Sequence, residues 1–248
     1  MLQETRLIMG MPVCVAISGA AAAAPDLEVA FASFVQADAR FSPFRPDSEL
    51  SRLNRKELAS QDRSAQMCEI LELAEQTRID SDGYFDVRRP DGTLDPCGIV
   101  KGWAIREAAR ALALRGLRDF FIDAGGDIQA SGHNVEGGHW RVGIRNPFQS
   151  EQIVKVLIPR GAGVATSGNY HRGPHIYNPH APETPAGDIV SLTVIGPDIL
   201  EADRFATAAF AMGEVGIEFI ERVQGLEGYQ IDARGIARMT SGIGRYLS

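Results

Sequence analysis

The sequence predicts an α+β protein, one mixed α/β domain spanning residues 1–248. Three observations point that way. Short apolar, β-prone runs recur at 7–17, 120–124, 140–144, 154–158 and 190–195. Among them lie longer stretches whose apolar residues repeat at helical spacing. No internal repeat or long linker divides the chain.

The elements follow in order. Residues 7–17 read as an early strand interrupted by Met9-Gly10-Met11, and Gly19 with the alanines at 20–24 as a turn and short connection. Pro25 and Asp26 open a helix carrying Leu27, Ala30, Phe31, Phe34 and Val35 at helical spacing. The breakers in Phe41-Ser42-Pro43-Phe44-Arg45-Pro46-Asp47-Ser48 predict a loop with exposed aromatics. A second helix covers 64–80, with Met67, Ile70, Leu71 and Ala74 on one face. Gly83-Tyr84-Phe85-Asp86-Val87 is a short extended piece.

Asp95-Pro96-Cys97-Gly98 is a turn running into a helix that directs Trp103, Ala104, Ala108, Leu112 and Leu114 to a core and stops at Gly116. The strand at 120–124 turns at Gly125-Gly126-Asp127. After the strands at 140–144, 154–158 and 190–195, a helix covers 198–212, with Asp198 and Glu201 at capping-box spacing. Residues 214–223 read as helical, and a hairpin forms around Asp232-Ala233-Arg234-Gly235.

Composition narrows the function. The formal net charge is -7 and no Lys/Arg-rich run occurs, which argues against a nucleic-acid partner. Three widely spaced cysteines without a CxxC pair suit reduced thiols. No basic leader or membrane-length apolar run is present in the sequence, so the expectation is a soluble cytoplasmic protein without a membrane anchor.

Three constellations could carry chemistry. Asp203 and Thr207 are four apart, so their oxygens leave one helix face, and such hard donors suit Mg²⁺. The same spacing also fits a plain helix burying Phe205, Ala206, Ala209 and Phe210. The turn before the third helix, with Lys101 beside it, suits a phosphate, although it matches neither standard nucleotide loop. It reads equally as an ordinary capped turn. Gly163-Val164-Ala165-Thr166-Ser167-Gly168 would let a ligand approach the backbone, and His175 is a candidate proton acceptor. A simple hairpin with an exposed histidine explains those residues too. No nucleophile elbow surrounds Ser167, so a serine hydrolase is discounted.

The order of these pieces carries a resemblance. Met9-Gly10, Phe41 through Asn54, Gly83-Tyr84-Phe85-Asp86, Leu94 through Gly102, Ile122-Asp123-Ala124-Gly125-Gly126-Asp127-Ile128, Ala165-Thr166-Ser167-Gly168, His175-Ile176-Tyr177-Asn178-Pro179 and Glu201 through Ala208 run in sequence along nearly the whole chain. Together they resemble the ApbE family, the FAD:protein FMN transferases. The resemblance implies a T-fold-related architecture, FAD as substrate, and Mg²⁺ held by Asp203, Thr207 and the Gly98 carbonyl.

It further implies flavin-nucleotide contacts from Met9, Phe44, Tyr84, Phe85, Asp86, Asp95, Lys101, Ser167 and Ile176. His175 would be the base and Asp203 the catalytic metal acid. The implied reaction moves FMN onto a Ser/Thr hydroxyl of an acceptor protein and releases AMP. The alternatives are a pyrophosphatase giving FMN and AMP, and a non-catalytic FAD binder. Phe44 stands where the family often has tyrosine, Pro174 where serine is usual and Asn178 where aspartate is usual. Pro96-Cys97 replaces residues that commonly read Leu-Gly, and the interval from Asp86 to Asp95 is short.

Overall fold

The structure, a computed structural model, describes residues 1–19, 22–168, 176–181 and 188–248. Its frame is an eight-stranded sheet built from the two chain ends and the middle. Strands β1 (Leu2–Ile8) and β2 (Met11–Ile17) pair in register Ile8↔Met11. The run at 7–17 is therefore not one strand. Met9 and Gly10 both take positive φ, 54° and 72°, the geometry that two-residue hairpins demand, so the chain reverses there and β1 begins earlier.

Helix α1 (Ala24–Phe41) opens with Pro25 in its first turn, and the Asp26 carboxylate accepts the Ala23 N–H at 2.8 Å. Phe41 ends this helix and is buried, meeting Trp103 edge-on at 5.5 Å. The expected exposed-aromatic loop thus applies to Phe44, which is 90% exposed, and not to Phe41. A short helix α2 (Glu49–Asn54), absent from the sequence reading, follows because Ser48 Oγ accepts the Ser51 N–H at 3.0 Å. Helix α3 (Ala65–Asp80) is capped in the same way by Ser64.

Helix α4 (Cys97–Leu114) buries Trp103, Ala104, Ala108 and Leu112 as expected. Leu114 does not pack: two residues beyond Leu112 on a helix, it points away and is 89% exposed. Val35 on α1 is likewise exposed. Strands β3 (Phe120–Ala124) and β4 (Asp127–Ser131) form a hairpin through Gly125 and Gly126. Next come β5 (Val142–Asn146), β6 (Gln149–Leu157), β7 (Gly163–Gly168) and β8 (Ile189–Gly196). Helix α5 (Ile199–Ala211) is capped by Asp198, whose carboxylate accepts the Glu201 N–H at 3.0 Å. The reciprocal half of the capping box does not form, because Glu201 pairs with Arg204 instead. Helix α6 (Gly216–Arg222) and the hairpin of β9 (Glu227–Asp232) and β10 (Ala237–Met239) finish the chain, near the expected positions.

The large sheet has the order β1-β2-β3-β4-β7-β8-β9-β10, and neighbouring strands are antiparallel throughout; β5 and β6 pair separately. The architecture is α+β, as the sequence predicts. Alternation along the strands splits two cores. One face packs Val13, Val15, Ile122 and Ala165 against Phe31, Trp103, Phe205 and Phe210 of the helices. The other packs Ile128, Val164 and Ile195 against Val142 and Ile144 of the small hairpin and Ile243 near the C-terminus.

Antiparallel pairing also brings the β1–β2 turn, the β3–β4 turn, the start of β4 and the end of β7 to one end of the sheet. The Gly125 N–H bonds the Pro12 carbonyl at 3.1 Å, tying the two turns together. Asp127 and the end of β7 are joined there as well, since Asp127 Oδ1 accepts the Thr166 N–H at 3.0 Å.

Candidate functional site

Two helices meet over this sheet end. Along α4, Gly98 and Gly102 are one turn apart, and along α5 so are Asp203 and Thr207. Gly98 faces Thr207 and Gly102 faces Asp203. A Cβ added at Gly102 would lie 2.8 Å from Asp203 Cβ and 3.1 Å from the Ile199 carbonyl. Only glycine permits that approach, and the bare backbone then serves as a donor: the Gly102 N–H bonds Asp203 Oδ2 at 2.7 Å. At Gly98 an added Cβ would sit 3.1 Å from the Phe85 ring and 3.2 Å from Thr207 Cγ2. Thr207 Oγ1 lies 3.5 Å from the Gly98 carbonyl oxygen. Of the predicted oxygen set, Gly98 and Thr207 thus meet directly, and Asp203 lies one turn earlier on α5.

Asp203 is 3% exposed. Burial drives its carboxyl well above the usual carboxylate range, the Lys101 ammonium opposes that, and the Asp127 carboxyl reinforces it. Lys101 Nζ sits 2.5 Å from Asp127 Oδ2 and 3.6 Å from Asp203 Oδ1. Two buried acids thus share one ammonium, a setting that favours a further cation. The residues fit Mg²⁺ on that ground. The donors are a carboxylate, a hydroxyl and a carbonyl, all hard oxygens, and the local charge calls for compensation. No group of three or more His, Cys, Asp or Glu placed to hold a metal occurs among the described residues. The mixed set at α4 and α5 uses only one acid, as a magnesium site shared with phosphates does.

The other predicted residues divide. Met9 sits at the β1–β2 turn and Ser167, 7% exposed, near the end of β7, both at the site end of the sheet. Phe85 is buried beneath Gly98, so it supports the site from the core side. Tyr84 meets His180 edge-on at 4.6 Å, and His180 Nε2 lies 2.8 Å from the Asp82 carbonyl. Ile176 packs on the edge of the main core.

Asp95 Oδ1 accepts the Cys97 N–H at 3.1 Å, closing the turn that leads into α4, and its carboxylate is paired with Arg89. Burial would raise its pKa, yet the contacts from Cys97 and Arg89 outweigh burial and hold it low. Asp86 bonds the Arg88 N–H at 2.8 Å, and Phe44 stands alone at the surface. His175 lies outside the described residues. The residue that sequence reasoning missed is Asp127. It was visible as the acid closing Gly125-Gly126-Asp127, but no spacing tied it to Lys101.

The family model described as "ApbE family" matches residues 9–89 and 87–230. The chain belongs to the ApbE family. A relative in Klebsiella pneumoniae (strain 342), named FAD:protein FMN transferase, is 32% identical over 155 residues, covering 59% of this chain and 44% of the relative. One of the same name in Escherichia coli (strain K12) is 30% identical over 161 residues, covering 61% and 46%. The matched part therefore spans less than half the length of these relatives. Among solved structures, the flavin transferase ApbE from Vibrio cholerae superposes with a TM-score of 0.87 at 22% identity, covering 99% of both chains. The ApbE protein from Thermotoga maritima also reaches 0.87, at 18% identity, covering 100% of this chain and 99% of its own. These two likenesses establish that the ApbE fold extends over the chain.

Proposed function

We propose that this chain moves the FMN half of FAD onto a serine or threonine hydroxyl of an acceptor protein, with Mg²⁺, releasing AMP. The observation that carries this is the meeting of Asp203, Thr207 and the Gly98 carbonyl beside the Lys101 ammonium, in a member of a family whose named relatives are FAD:protein FMN transferases. We read residues 1–248 as one functional domain.

In this reading Asp203, Thr207 and the Gly98 carbonyl hold the metal. A bound Mg²⁺ would supply charge neutralisation for the pyrophosphate there. The backbone start of α4 and Lys101 orient the pyrophosphate, and Asp95 keeps that turn in place by accepting the Cys97 N–H. Met9, Phe44, Tyr84, Asp86, Ser167 and Ile176 contact the rest of FAD, with Phe85 fixing Gly98 from below. His175 takes the proton of the acceptor hydroxyl. That oxygen then bonds to the FMN phosphorus while the P–O bond to AMP opens, leaving a phosphoester-linked flavin. Orientation and charge neutralisation account for most of the rate.

Among the described residues no helix is long and apolar enough to cross a membrane. No disulfide joins Cys14, Cys68 or Cys97, which suits a reducing compartment, and we place the reaction in the cytoplasm. The test is co-expression with an acceptor protein carrying a Ser/Thr flavinylation motif, followed by a denaturing gel viewed under ultraviolet light. A fluorescent band at the acceptor's mass supports transfer. A dark band despite FAD consumption favours hydrolysis and sinks the transferase reading.

A further inference from the structure

The two oxygens of Asp203 are not equivalent. Oδ2 already accepts the Gly102 N–H at 2.7 Å, and the Asp127 carboxyl also lies against the Asp203 carboxyl, so Oδ1 is the oxygen better placed to meet a cation. Oδ1 is also the one that faces Lys101, at 3.6 Å. A buried ammonium and a bound metal would therefore compete for the same atom. What keeps the lysine off it is visible in the same cluster: Asp127 Oδ2 lies 2.5 Å from Nζ, closer than Asp203 by about 1.1 Å (3.6 − 2.5).

Asp127 is itself fixed. It is 1% exposed, it begins β4 straight after the Gly125-Gly126 turn, and its Oδ1 accepts the Thr166 N–H from β7 at 3.0 Å. That is a rigid mount on the sheet, whereas Lys101 is a flexible four-carbon stem bearing a point charge that goes to the strongest available acceptor. We propose that Asp127 is a positioning residue that draws the Lys101 ammonium away from Asp203 Oδ1, leaving that oxygen open to the divalent cation and Nζ poised towards the substrate phosphates. This rests on the flavin-transfer reading above and assigns a role that reading does not contain. With Asp127 neutralised, Asp203 is the remaining ion-pair carboxylate of Lys101 among the described residues, and the lysine becomes an internal competitor of the metal.

The consequence has a sign that a merely structural role lacks. Asp127→Asn keeps the shape and an oxygen for Thr166 but removes the charge. It should raise the Mg²⁺ concentration at which FAD binding is half-tightened by about tenfold or more. Removing the competitor too, in Asp127→Asn with Lys101→Met, should bring that midpoint back to within about threefold of wild type, even though FAD binds more weakly overall. The readout is quenching of FAD fluorescence without acceptor, titrated with Mg²⁺ alone, with circular dichroism verifying each fold.

Should Asp127→Asn fail to fold, Lys101→Met alone decides: its midpoint must be no higher than wild type. An unchanged midpoint in Asp127→Asn, or a double variant as impaired as the single, overturns the proposal while leaving the transferase reading intact. FAD binding by the wild type that ignores Mg²⁺ overturns both.

Discussion

Replacing Gly102 with alanine tests the helix crossing on which the site depends. The new methyl would stand 2.8 Å from Asp203 Cβ and 3.0 Å from Asp203 Oδ2. Relaxed carbon contacts lie near 3.5–4.0 Å, so α4 and α5 must separate by about 1 Å. Overpacking of this kind costs about 1–3 kcal/mol, while exchanging glycine for alanine inside a helix returns about 1 kcal/mol. The net destabilisation is thus small, about 0–2 kcal/mol, and the protein stays folded.

Activity is hit harder. A displacement of about 1 Å at Asp203 also stretches the 2.7 Å bond from the Gly102 N–H, and misplacement on that scale costs about 100-fold in rate. The assay pairs a thermal melt with AMP release from FAD titrated with Mg²⁺ up to saturation. A modest fall in Tm with a drop of about two orders of magnitude in rate is expected. Wild-type AMP release at the wild-type Mg²⁺ midpoint would refute the argument that this contact sets the metal acid.

Other outcomes follow from the same geometry. Asp203→Ala should abolish Mg²⁺-dependent AMP release in a folded protein, and undiminished release would remove Asp203 from the metal set. His175→Ala should slow transfer at unchanged FAD affinity; equal loss of both would make it a binding residue. Asn54 bridges α2 to the segment before Asp95, donating to the Leu94 carbonyl at 2.9 Å and accepting the Leu94 N–H at 2.8 Å. Asn54→Ala strands both groups, so about 2 kcal/mol of stability and about 4–8 °C of Tm should be lost, read by calorimetry.

Glu75 is held down at about 2 by hydrogen bonds from Arg78 and Arg88, against an ordinary 4.5. A depressed carboxylate stabilises above its unfolded pKa and stops doing so as pH falls through the folded one. The small stability gap between wild type and Glu75→Gln should therefore be full at pH 7 and close between about pH 4.5 and 2 in acid titrations. A gap independent of pH would deny those contacts.

The sequence made much of the fold legible, and the misses have local causes. Helical spacing located α1, α3 and α4 because each buries one face, whereas α5, buried on nearly all sides, was marked by the cap pattern of Asp198 and Glu201. The hairpin at Met9-Gly10 was hidden because Met9 is not a usual residue at positive φ, so an apolar run looked like one strand. Helix α2 was hidden by the prolines just ahead of it, although Ser48 was there to cap it. In the site, Asp203 and Thr207 could be paired because four residues on a helix define a face. The partners across the crossing, Gly98 and Gly102, show the same one-turn interval, but no rule of spacing docks one helix on another. Asp127 and Lys101 meet only because the sheet returns β4 beneath α4, which is tertiary information.

The measurement that bears most directly on the function is a product balance: purified protein, FAD, Mg²⁺ and a peptide with a Ser/Thr flavinylation motif, followed by chromatography and mass spectrometry. The account predicts AMP and FMN-bearing peptide in equal amounts, neither appearing with EDTA. Free FMN matching the AMP, with an unmodified peptide that a proven flavin transferase does modify, would contradict it.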